Sequence, residues 1–151
     1  MSDTLTLSEV QLQKEEIKIR VDISHNFPEV TVHPQQIQQV FLNIISNARY
    51  ALNQKYPEAH EDKLLEISGK EITVSNLPCL KMIFYDHGIG IPANSIEKVM
   101  DPFFTLKPRG KGTGLGLSIS HGIINEHGGK IIIHSIEGEF TEVAVILPIL
   151  K

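Results

Sequence analysis

Apolar positions along this chain switch between two periods, and the switches predict its elements. Ser8 to Gln11 has the spacing of a capping box, predicting a short polar helix to about Glu16. Ile17, Ile19, Val21 and Ile23 then alternate with Lys18, Arg20 and Asp22, a period of two that predicts a half-buried strand. Val30 and Val32 form a short extended piece before Pro34, which suits the first turn of a helix. From there Ile37, Val40, Phe41, Ile44, Ile45, Ala48 and Leu52 recur at steps of three and four, predicting an amphipathic helix that ends before Pro57. Leu64 to Ser68 and Glu71 to Ser75 read as two short strands around a turn at Gly69-Lys70, and Leu80 to Tyr85 as another strand. Asp86 to Pro92 is an irregular turn, and a short helix is expected over 93–100. Asp101 to Gly116 has no periodicity and reads as a long loop, a type usually functional or disordered inside a compact domain. Leu117 to Glu126 predicts a second helix, closed by His127-Gly128-Gly129 with the His127 ring at its end. Ile131 to Ser135 and Glu142 to Leu147 form a closing strand pair with a turn at Glu137-Gly138.

Composition narrows the class. A chain of 151 residues, 41% hydrophobic and 21% charged, fits one packed domain. Its formal charge of −4 supplies no basic field for nucleic acid. The single cysteine, Cys79, excludes an internal disulfide framework and points to a reducing, cytoplasmic compartment. No apolar run approaches the roughly 20 residues that span a bilayer, so no membrane contact by this domain is expected. The start, Met1-Ser2-Asp3-Thr4, is not that of a signal peptide.

Three clusters carry candidate chemistry. Asn43 and Asn47 share one face of the long helix, among apolar neighbours. An asparagine is costly to bury unpaired, and its carbonyl oxygen suits Mg²⁺, which takes hard oxygen ligands. Asp86 ends an apolar strand and precedes Gly88 and Gly90, where a ligand can approach the backbone closely and the carboxylate can accept from an amino group. Taken alone, an ordinary Asp-Gly turn is the simpler reading. Gly110, Gly112, Gly114 and Gly116 alternate just ahead of a helix start, an arrangement of backbone N–H groups that suits an anion. Lys107, Arg109 and Lys111 add three positive charges beside them. The seven histidines show no metal spacing, and no nucleophile elbow is present. The order of these clusters points to a Mg-bound nucleotide polyphosphate.

On these residues the chain resembles the ATP-binding catalytic domain of sensor histidine kinases, in the Bergerat-fold ATPase superfamily. Gln39 to Ala48 is similar to the N box, Asp86 to Pro92 to the G1 box, Asp101-Pro102-Phe103-Phe104-Thr105 to the F box, and Gly112 to Ser120 to the G2 box. The likeness runs from about residue 15 to Pro148, and its lid looks most like the nitrogen-regulation type. It implies an α/β (α+β) two-layer sandwich, with helices on one face of a mixed β-sheet. It implies that Asn47 ligates Mg²⁺ and that Asn43 sits beside the phosphates of ATP, with Asn43 and Lys107 as the catalytic pair. Asp86 would accept from the adenine amino group, and Gly88, Gly90 and Ile91 would shape that end. Gly112, Thr113, Gly114, Leu115, Gly116 and Leu117 would line the phosphate side. Lys107, Arg109 and Lys111 would belong to a lid anchored by Phe103 and Phe104.

Departures from the family pattern refine the function. Related hydrolytic ATPases carry a Glu where this chain has Asn43, and Asn cannot act as a general base. That favours phosphoryl transfer over hydrolysis. Many histidine kinases carry Lys or Arg three residues after the N-box Asn; here Tyr50 stands there, with Arg49 one earlier. No histidine has the context of a phosphate acceptor, so the acceptor is expected on a separate histidine-bearing dimerisation domain, with a response regulator downstream. Residues 1–14 would be the tail of a linking helix and 15–151 the ATP-binding domain. A stand-alone serine kinase of the anti-sigma type and a non-catalytic nucleotide-binding module are the alternatives.

Overall fold

The long helix, α1 (Pro34–Lys55), turns the 3.6-residue apolar repeat into a buried stripe of Ile37, Val40, Phe41, Ile44, Ile45, Ala48 and Leu52. The computed structural model describes residues 9–23, 34–99 and 116–149. Within them lie strands β1 (Lys18–Ile23), β2 (Leu64–Val74), β3 (Leu77–Asp86), β4 (Lys130–Ile136) and β5 (Phe140–Pro148), and helix α2 (Gly116–Glu126). The strands form one sheet in the order β1-β2-β3-β5-β4. β1 runs parallel to β2, and the other neighbours pair antiparallel. Both helices pack on one face, α1 against α2 and β3, and α2 against β4 and β5. This is the two-layer sandwich with a mixed sheet that the sequence implied.

The core lies between helices and sheet. Leu65 and Ile67 of β2, Leu80, Met82 and Phe84 of β3, and Val143, Val145 and Leu147 of β5 meet the α1 stripe there. Phe41 and Phe84 tilt against each other with ring centroids 5.3 Å apart. Residues 9–14 are helical, and Leu12, 0% exposed, belongs to the same core. Helix α2 closes as expected: the His127 ring donates from Nδ1 to the Ile123 carbonyl (2.8 Å).

Two expectations need correction. Gly69 and Lys70 do not turn; they continue β2 in register with Met82 and Lys81 of β3. The hairpin reverses at Ser75-Asn76, whose φ angles of 51° and 67° both lie in the left-handed region. That is the backbone of a two-residue type I′ loop, whose twist matches that of the flanking strands. β3 consequently starts at Leu77 rather than Leu80. The helix expected over 93–100 reduces to a single 3-10 turn at Ile96–Lys98. The extended piece at Val30 and Val32 and the loop over 101–115 lie outside the described residues.

Candidate functional site: a buried carboxyl beside the long helix

Strand periodicity explains why Asp86 is buried. Leu80, Met82 and Phe84 point into the core from β3, and Asp86 is the next member of that inward row. It is 5% exposed. Burial pushes its carboxyl pKa up to about 7, against the lowering pull of the Gly88 N–H and the Lys55 charge. The Gly88 N–H donates to Asp86 Oδ1 (2.9 Å). His87, the next residue, is held on Glu66, with Nε2 2.8 Å from Oε1. Adjacent residues of the box thus have separate partners.

The loop after Asp86 is held from two sides. The Ile89 N–H donates to the Ala51 carbonyl of α1 (3.3 Å), and the Ile89 carbonyl accepts from the Gly138 N–H in the β4–β5 turn (2.6 Å). Close packing demands glycine here. A Cβ on Gly88 would stand 2.6 Å from the Ala51 Cβ and 2.7 Å from the Ala51 carbonyl carbon. Gly90 has φ 72°, and a Cβ there would meet the Ile136 carbonyl oxygen. Lys55, in the last turn of α1, donates from Nζ to the Gly138 carbonyl (2.8 Å) and so ties helix, turn and loop together. The sequence pattern assigns Lys55 no role, because a basic residue at a helix end is also an ordinary dipole partner. Only the fold brings it near Asp86.

Asn43 lies on the part of α1 that meets α2. Its Nδ2 donates to the Gly116 carbonyl (3.3 Å) and to Ser120 Oγ (3.2 Å). The structure therefore brings the N-box Asn43 to the first residue of the helix that follows the glycine run. Asn47 is half-buried one turn further along α1, and Leu117 is half-buried in the first turn of α2. Phe104, Lys107, Arg109, Lys111, Gly112, Thr113, Gly114 and Leu115 lie outside the described residues. Among the described residues no group of three or more His, Cys, Asp or Glu gathers to hold a metal. None of their helices is long and apolar enough to cross a membrane.

Residues 32–151 match the family described as histidine kinase-, DNA gyrase B- and HSP90-like ATPase. The chain belongs to this ATPase family. It is similar to Sporulation kinase E of Bacillus subtilis, 33% identical over 150 residues that cover 99% of the chain and 19% of that protein. It is also similar to the sensor histidine kinase ZraS of Escherichia coli K12, 30% identical over 99% of the chain and 29% of ZraS. The chain thus spans less than a third of the length of these relatives. Among solved structures, the catalytic domain of the histidine kinase ThkA superposes with a TM-score of 0.79 at 28% identity, covering 97% of this chain and 90% of that one. In this ATPase family member, the buried carboxyl, the Asn-bearing helix and the start of α2 all lie on one face of the sheet.

Proposed function

We propose that this chain is the ATP·Mg²⁺-binding catalytic part of a two-component sensor histidine kinase. It would present the γ-phosphate to a histidine on a separate dimerisation domain, and a response regulator would receive the phosphate afterwards. The observation that carries the reading is Asp86. A carboxyl buried at a strand end, in a loop held by α1 and the β4–β5 turn, suits an amino donor on a flat ligand edge such as adenine. The sensor-kinase relatives, each longer than this chain, support a partner domain that bears the histidine.

The donor set fits ATP·Mg²⁺ in kind. Mg²⁺ keeps several waters and takes few protein ligands beside phosphate oxygens. Asn47, one turn from Asn43 on α1, offers a neutral hard oxygen where no carboxylate cluster stands among the described residues. Bound there, Mg²⁺ would neutralise phosphate charge. The chain's own residues would then bind and orient: Asp86 the base, Asn43 the phosphate end beside α2, and Lys107, Arg109 and Lys111 the lid. Positioning and electrostatics, rather than a covalent protein intermediate, carry phosphoryl transfer of this kind. Asn43 stands where hydrolytic relatives hold a base, which favours transfer to a side chain over attack by water.

The test adds the chain and labelled ATP to a histidine-bearing dimerisation fragment of a sensor kinase and, separately, to a serine-bearing substrate of the anti-sigma type. Acid-labile label on the histidine fragment is expected, and it is lost with Asn47→Ala. Acid-stable label on the serine substrate, or tight ATP binding with no transfer to either, would overturn the kinase assignment.

A further inference from the structure

Ser135 lies on β4 directly opposite Thr141 of β5, and Thr141 lies directly opposite Asp86 of β3. The three form one polar row across the sheet, on the face that carries Ile131, Ile133, Val143 and Phe84. Thr141 is 9% exposed. Ser135 Oγ stands 2.7 Å from the Phe140 carbonyl, 2.9 Å from Thr141 Oγ1 and 2.8 Å from the Ile91 nitrogen.

Counting protons fixes the direction of each bond. A serine hydroxyl has one proton to give and two lone pairs to receive. The Phe140 carbonyl can only accept, so it takes the Ser135 proton. Ser135 Oγ then accepts from the Ile91 N–H and from the Thr141 hydroxyl, and its capacity is full. Two consequences follow. The Ile91 end of the loop that begins at Asp86 is fastened to β4 through a side chain. The Thr141 proton is also turned toward Ser135, so whatever Thr141 offers elsewhere is a lone pair.

We propose that Ser135 is a positioning residue that sets base specificity at the Asp86 end of the site. By holding the Thr141 proton and the Ile91 N–H, it leaves Thr141, like the ionised Asp86 carboxylate, able to accept but not to donate. Such a row matches an exocyclic amino group, as on adenine. It opposes a carbonyl at the same place, as on guanine, because two acceptors would face each other unpaired. The inference rests on the reading of Asp86 as the base-binding carboxyl.

The experiment measures ATP and GTP binding to the chain by calorimetry at about pH 8, where Asp86 is ionised, and saturating Mg²⁺, with amide exchange at Ile91 as a second readout. For Ser135→Ala, ATP affinity is expected to fall about five-fold, the worth of one hydrogen bond. GTP affinity should hold or rise, because the freed Thr141 hydroxyl can donate to a carbonyl. The ATP-over-GTP preference then drops by about five-fold or more, and Ile91 exchanges faster. Ser135→Thr, which keeps the hydroxyl, should restore both. Ser135→Cys keeps the volume with a weaker acceptor and should fall between, which serves if the alanine variant fails to fold. An equal loss of ATP and GTP affinity, or an unchanged preference, overturns the proposal while Asp86→Ala still abolishes binding. Unchanged binding in Asp86→Ala overturns the reading of the site, and this proposal with it.

Discussion

Arg49 grips Glu15 through two parallel hydrogen bonds, Nε to Oε1 at 2.8 Å and Nη2 to Oε2 at 2.7 Å. The pair joins α1 to the segment leading into β1, beside a helical stretch whose Leu12 is in the core. Arg49 comes two residues after Asn47, near where many histidine kinases keep a basic residue. Here its guanidinium is committed to the N-terminal segment.

Removing that pair should loosen the segment and spare the nucleotide site. Arg49→Ala is expected to destabilise the chain by about 1 kcal/mol, or a few degrees in Tm, with ATP affinity within about two-fold of the parent. The Arg49 hydrogen bond is the largest influence holding the Glu15 carboxyl at about 2, below its ordinary 4.5. A carboxyl whose pKa is lowered by folding contributes stability above its unfolded pKa and loses it as pH falls toward the folded value. Denaturation followed from pH 5 down to pH 3 should therefore show a decline in the parent that is shallower in Arg49→Ala. Equal slopes would remove the pair from the stability of the fold.

Asp86 titrates in the opposite sense. Its folded pKa of about 7 lies above the ordinary 3.8, so its contribution to stability falls as pH rises from about 4 to 7 and levels off beyond. Asp86→Asn should flatten that part of the profile. Binding runs the other way, because an amino group donating to the carboxylate favours the ionised form. ATP affinity at saturating Mg²⁺ is expected to rise about ten-fold between pH 6 and pH 8, and to lose that dependence in Asp86→Asn. Calorimetry across this range is the measurement; a flat profile in the parent would exclude ionisation of Asp86 on binding.

The Ser75-Asn76 loop is a place to gain stability without touching the site. Both residues hold positive φ, and the second position of a type I′ turn favours glycine. Asn76→Gly should stabilise the chain by roughly 0.5–1 kcal/mol, since it relieves a left-handed side-chain residue. Urea denaturation would show this as a higher midpoint at constant slope, with ATP affinity unchanged. A lower midpoint would show that the Asn76 side chain contributes more than its backbone strain costs.

Much of the fold was legible because burial on one face writes a period into the sequence. The apolar repeat of α1 and the alternation in β3 and β5 correspond to buried rows in the structure. The hairpin turns where composition does not point, for a physical reason. Gly69-Lys70 has the composition of a turn, yet both residues are held extended by pairing with Met82 and Lys81, whereas Ser75-Asn76 turns through backbone angles that composition signals weakly. The inward row that buries Asp86 was already present in the alternation Leu80, Met82, Phe84.

The sequence by itself determined the alternation of helix and strand, the layer that each apolar face would join, and the family. Those follow from local periods and from short motifs whose residues are close together in the chain. Only the tertiary structure decided that Glu15 takes Arg49, that Asn43 fastens α1 to α2, and that Ser135, Thr141 and Asp86 stand in one row. Most of these relationships join residues tens of positions apart. They depend on strand order and register, which no local pattern encodes, and on the direction in which each hydroxyl gives its single proton.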